Sequence, residues 1–223
     1  MNTNNLARFA MAGVGAFFVI MYLAFPLIQP ELNPIERFGS EYSIGTMGWL
    51  MKTAFFSLGA GVAALALGMA RALDPAARSG TGIVLLLIAA LGFFLSGVFD
   101  TDLQILNDNP PPRWVEGPSS PERVAHDLAG LVALFSLMTG AGIVSRRLRK
   151  AGRLQGVYRW LRALSWLNPV AFVGFVVIFV PQGLAGLGQR IFIVVFLSWI
   201  LIAARGLAED AFAAPILTRE RSD

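Results

Sequence analysis

The sequence predicts an all-α, polytopic membrane protein: a bundle of six transmembrane helices with both termini on the cytoplasmic side. Three observations carry that expectation. Of 223 residues, 56% are hydrophobic and only 14% charged, against about 25% charged in an ordinary soluble domain. Six stretches stay apolar over the roughly 20 residues that a bilayer crossing requires. The basic residues gather on one side of those stretches, as the positive-inside rule demands. Mean hydropathy is +0.64, and residues 1–223 read as a single transmembrane domain.

The spans are expected at about 7–28, 46–70, 81–99, 123–144, 161–181 and 189–208. The first contains "FAMAGVGAFFVIMYLAFPLI". That run exceeds the h-region of a secretory signal, about 7–15 residues, and no small-residue cleavage site follows it. The second contains "SLGAGVAALALG", where Ser57 and Gly61, Gly59 and Ala63, and Ala64 and Gly68 sit four apart. Small residues at that spacing share one helix face and let backbones approach closely. The third, "TGIVLLLIAALGFFLSGVF", carries no charge and runs straight into Asp100 and Asp102.

The fourth span has a defined start. Ser120 suits the cap, Pro121 the first helical position, and Glu122 the positive helix end. The fifth contains "WLNPVAF". There Asn168 can bond within the bundle and Pro169 frees a carbonyl and favours a kink. Structural roles account for both. The sixth opens on "GLAGLGQR", a tight glycine-rich connection.

Orientation follows from the charges. Arg8, Arg71, Arg78, Arg146, Arg147, Arg149, Lys150, Arg153, Arg159, Arg162, Arg205, Arg219 and Arg221 fall at the termini or the even-numbered connections, 13 of the 18 basic residues. The other side has Arg37, Arg113 and Arg123, with Lys52 and Arg190 just inside helix starts. Both termini are therefore expected inside. The run "SRRLRKAGR" reads as a solvated inner loop, with an anionic-lipid patch as the alternative. The two long outer connections, 29–45 and 100–122, are acidic, and the second holds a triple proline that favours extended chain over helix.

Composition also excludes chemistry. There are no cysteines and one histidine, His126. Disulfides, thiolate metal sites, cysteine nucleophiles and multi-histidine centres are ruled out. The formal charge of +4 lies in juxtamembrane clusters, so nucleic acid is not an expected partner. Phosphate-cradling and nucleophile-elbow motifs are absent. No cofactor, metal or catalytic residue is assigned.

One set of polar residues converges at the outer half of the bundle: Lys52, Asp100, Asp102, His126, Asp127 and Arg190, with Gln182 and Gln189 close by. Charges at membrane depth are costly unless paired. An Asp100–Arg190 or Asp127–Lys52 pair would register the helices without binding anything. The functional alternatives are a small-ligand, lipid head-group or proton site, or a hydrolytic centre. Asp102, His126 and Arg190 are expected in one outer-facing cluster. Neighbours on a helix point about 100° apart, so His126 and Asp127 do not share a groove.

The succession "EYSIGTMGWLMKTAFFSLG" (41–59), "GVFDTD" (97–102), "RVAHDLAG" (123–130) and "GLGQRIFIVVFLSWILIAARGL" (186–207) resembles the bacterial membrane family called domain of unknown function 998. Asp102 matches that family's acid after the third span, and Asp100 stands where proline is usual. His126 matches the histidine opening the fourth span. Arg190 matches a basic position that often follows Glu and here follows Gln189. The resemblance implies an integral membrane protein without an established activity, placed in a bacterial cytoplasmic membrane. A more distant likeness to ceramidase-like membrane hydrolases implies several histidines around a metal, and this chain has one.

Two functions therefore stand. The first is a non-enzymatic membrane protein, either binding a small ligand or lipid or joining other membrane subunits. The second is a membrane-embedded hydrolase using His126 with Asp100 or Asp102. A hydrolase needs His126 within reach of an acid, beside an open cavity.

Overall fold

A computed structural model describes residues 1–45, 47–102, 105–106, 114–115, 120–148, 154 and 156–210. Six helices are long and apolar enough to cross a membrane: α1 Thr3–Ile28, α2 Gly48–Ala72, α3 Gly80–Val98, α4 Pro121–Arg147, α5 Tyr158–Gln182 and α6 Ala185–Ala208. Their bounds lie within a few residues of the sequence expectation; the first, fifth and sixth begin three or four residues earlier than expected. A two-residue antiparallel pairing, Ile105 with Val115 and Leu106 with Trp114, lies between α3 and α4. The triple proline and residues 149–153 of the basic run lie outside the described residues.

Helix starts follow the local chemistry. The Asn2, Ser79 and Ser120 side chains each accept a backbone N–H three residues on, capping α1, α3 and α4. Two helices widen into π turns, Val19–Ala24 in α1 and Phe175–Phe179 in α5. Each lies just before a proline, Pro26 or Pro181. Proline has no N–H to offer and its ring crowds the carbonyl four residues back, so the preceding turn opens. The α-helix of α5 runs through Pro169, and Asn168 donates to the Leu164 carbonyl at 2.9 Å.

The helices form a closed ring in sequence order, with α6 returning against α1. Packing is densest where small residues meet. A Cβ on Gly13 of α1 would collide with the Ser57 carbonyl of α2 and stand 3.0 Å from Gly61 Cα. One on Gly59 would stand 2.8 Å from the Ala90 carbonyl of α3. Thus the small-residue positions of the second span are contact points on both sides. The seam between α4 and α5 is the slightest in the ring. Only 6% of the apolar stretch of α5 is buried, against 67% for α6. Trp199 of α6 is fully buried and donates to Ser145 Oγ at 3.0 Å, which in turn donates to the Leu161 carbonyl at 3.3 Å. That chain ties α6, α4 and α5 together at one level.

The connection 29–45 and residues 99–102 and 120 lie at one end, here termed the loop end. The N-terminus and the end of α6 lie at the other, where Arg71 donates to the Met1 carbonyl at 2.7 Å.

Candidate functional site

The segment after α1 does not float over the loop end; it folds into it. A 3₁₀ turn, Gly39–Ser43, carries Tyr42 into the bundle, where its ring stacks on Phe25 at 4.7 Å. Arg190, on the first turns of α6, holds this segment. Its guanidinium donates to the carbonyls of Pro34 (2.6 Å), Arg37 (2.9 Å) and Gly186 (3.1 Å), and to Tyr42 Oη (3.2 Å). The guanidinium also lies 5.5 Å from the Tyr42 ring centre. Burial pushes the Tyr42 phenol above its ordinary value, partly offset by the Arg190 charge. Next to Arg190, Gln189 Oε1 accepts the Gly39 N–H at 2.8 Å. Arg190 thus spends its donors on three carbonyls and the Tyr42 hydroxyl.

The other polar residues expected together divide into separate groups. Lys52 Nζ stands 2.9 Å from the Asp100 carboxylate, joining α2 to the end of α3, with both side chains partly exposed. Asp102 accepts both the N–H and the hydroxyl of Ser120, each at 2.8 Å. Those two hydrogen bonds, the backbone one foremost, hold its carboxyl below the usual carboxylate range. Arg123 Nε lies 3.5 Å from Asp127 one turn on in α4. The ion pairs are therefore Lys52–Asp100 and Arg123–Asp127, not Asp100–Arg190 or Asp127–Lys52. The physical reason is reach: Arg190 is enclosed by carbonyls of the 29–45 segment and of its own helix turn, and Asp127 has a cation one helical turn away.

His126 is buried, with 5% of its surface exposed. Its Nδ1 lies 3.0 Å from the Phe99 carbonyl oxygen. A carbonyl can only accept, so Nδ1 carries the proton, and in the neutral ring Nε2 is left with a lone pair. No hydrogen bond to Nε2 is present among the described residues. The ring edge packs on Phe55 at 5.7 Å.

Beside His126 a cavity of about 380 Å³ opens inside the ring. All six helices contribute to its wall. Eight phenylalanines line it: Phe17, Phe38, Phe55, Phe93, Phe172, Phe175, Phe192 and Phe196. Its polar groups, Ser40, Ser96, Thr101, His126, Asp127 and Gln189, collect toward the loop end. No lysine or arginine among the described residues lines it. Leu131 of α4 and Val176 of α5 stand at its rim and are 46% and 45% exposed, so the cavity reaches the apolar surface along the slight α4–α5 seam.

Sequence reasoning located His126 and Asp127 but not this cavity. Its wall is built of phenylalanines spaced no differently from those that face outward. Over residues 11–206 the chain matches the family described as Protein of unknown function (DUF998). The chain belongs to that family. No curated protein and no solved structure matches this DUF998 member. The family match spans all six helices, the Arg190 clasp and the His126 cavity, so the site lies inside the family domain rather than in an appendage. Among the described residues, no three His, Asp or Glu side chains of this DUF998 protein come together as metal ligands would.

Proposed function

We propose that this protein binds a small amphipathic molecule or lipid within its transmembrane bundle, without chemical conversion. The carrying observation is the phenylalanine-walled cavity with its polar groups at one end. Pockets of about 300–1,000 Å³ that are mostly apolar with a few convergent polar groups are the usual form of small-molecule sites. The rim at Leu131 and Val176 supports entry of an apolar tail from the bilayer. The membrane is read as a bacterial cytoplasmic membrane, with the loop end outside and both termini inside, on the distribution of lysine and arginine.

The hydrolytic alternative finds less support. Asp102 is taken up by Ser120, Asp100 by Lys52, and the Nδ1 position where an orienting acid would sit is held by the Phe99 carbonyl. Partner membrane subunits remain a second reading, for which the sparsely buried α5 is the available face.

The test is purification in mild detergent followed by lipid extraction and mass spectrometry, for the native protein and Gly130→Leu. Gly130 lines the cavity, and a Cβ there meets only Ser96 Oγ at 3.7 Å, so a larger side chain fills the space without striking backbone. A defined amphiphile that is retained by the native protein and lost from the folded variant supports the reading. The same lipids in both, or none in either, overturns it.

A further inference from the structure

We infer that the cavity selects an amphiphile whose head is an uncharged hydroxyl group, received by Nε2 of His126. The inference rests on the ligand-binding reading above and specifies its ligand class. Four observations lead to it.

Of the donors near the cavity, those of Ser40, Thr101 and Gln189 are uncharged, and two others are already engaged. Ser96 Oγ donates to the Gly92 carbonyl at 3.0 Å, and the Nδ1 proton of His126 is held by Phe99. The cations are engaged too and stand off the wall. Lys52 faces Asp100, and Arg190 is enclosed by loop carbonyls and Tyr42. A carboxylate or phosphate head would thus enter a phenylalanine-walled space with no lysine or arginine among the described residues of its lining, and would meet the Asp127 carboxylate there. An anion transferred to such a site without a partner is heavily disfavoured.

An ammonium head is disfavoured for the complementary reason. Among the described residues the one carboxylate on the wall, Asp127, already has Arg123 at 3.5 Å, so this pair offers no net charge to attract a cation. What the site does offer is a lone pair. His126 is 95% buried and lines the cavity, its tautomer is set by Phe99, and among the described residues Nε2 has no hydrogen bond. An O–H satisfies that acceptor and adds no charge. The aromatic wall then covers the tail.

The experiment uses the full-length protein in mild detergent and native mass spectrometry. It is offered four amphiphiles with the same saturated twelve-carbon tail: the alcohol, the carboxylate, the phosphate and the amine. The expected result is that the alcohol is retained most strongly. His126→Asn should lower that retention by about tenfold, the size of one hydrogen bond. Asparagine keeps a donor for the Phe99 carbonyl but has no atom at the Nε2 position, so fold and ligand contact are separated. His126→Phe, which removes both, should show the same loss if it folds. Preferential retention of the carboxylate, phosphate or amine, with Gly130→Leu still abolishing it, overturns the head-group assignment and leaves the cavity as a binding site. Alcohol retention that is unchanged in His126→Asn also overturns it. Failure of all four amphiphiles to bind, or binding indifferent to Gly130→Leu, overturns the binding reading itself.

Discussion

Asp102 grips Ser120 twice, through the backbone N–H and the hydroxyl, each at 2.8 Å. Ser120 Oγ meanwhile accepts the Arg123 N–H at 3.1 Å and caps α4. The acid after the third helix therefore fixes where the fourth begins, and with it the placement of His126 two turns in.

This relationship predicts a pH dependence. The Asp102 carboxyl is held below its ordinary value, near 3.8, chiefly by the Ser120 hydrogen bonds. A carboxylate with a lowered pKa when folded adds stability above its unfolded pKa and loses it as pH falls through the folded one. Asp102→Asn should therefore lower the melting temperature at neutral pH. The gap between native and variant should close as pH is taken below about 4. A gap that is constant from neutral to acid pH would show that the charge is irrelevant.

The Lys52–Asp100 pair should be worth little. Both side chains are about a third or more exposed, and exposed ion pairs contribute roughly 0–1 kcal/mol. A double-mutant cycle with Lys52→Met and Asp100→Asn should give a coupling below about 1 kcal/mol. A coupling above about 2 kcal/mol would mean that the pair is shielded from water as buried pairs are.

Arg190 should matter far more. Arg190→Met would leave the Pro34 and Arg37 carbonyls without their guanidinium donor. Part-buried acceptors stripped of a charged partner cost about 2–4 kcal/mol in sum. The 29–45 segment should also become sensitive to limited proteolysis under conditions where the native protein resists it. Unchanged melting and unchanged cleavage would remove the clasp from the account.

Two glycines two residues apart on α1, and so on nearly opposite faces, should behave oppositely. A Cβ at Gly13 strikes the Ser57 carbonyl, and one at Gly15 meets nothing within 4 Å. Gly13→Ala should destabilise by about 1–3 kcal/mol, because helix backbones must separate. Gly15→Ala should be neutral or stabilising by up to about 1 kcal/mol through helix propensity. Similar melting curves for the two variants would contradict the close α1–α2 approach.

Orientation can be read directly, because the chain has no cysteine of its own. Cysteine at Glu36, exposed at the loop end, should react with an impermeant maleimide in intact cells. Cysteine at Ala76, exposed at the opposite end, should react only after permeabilisation. The reverse pattern would invert the bundle and place the cavity mouth inside.

Much of this was legible beforehand. Six spans follow from apolar length alone, since a bilayer leaves helices few other options. The α4 start was legible in Ser120 and Pro121, and the tight helix contacts in residues such as Gly59 and Gly61. Partner choice was not. Lys52 and Arg190 are both cations near the same helix ends, yet one meets a carboxylate and the other four oxygens of a loop and helix turn. The Arg123–Asp127 pair, by contrast, lies at a spacing of four and could have been read from the helix alone.

By itself the sequence determined the membrane class, the number of helices, the side on which polar residues gather and the identity of His126 as the sole imidazole. These properties follow from local composition, because hydrocarbon thickness and helical geometry act on each segment separately. Only the tertiary structure decided that His126 turns Nδ1 to Phe99, that Arg190 pins the 29–45 segment, and that eight phenylalanines enclose a cavity. A void is the space left between packed elements, and nothing in a single segment records what its five neighbours fail to fill.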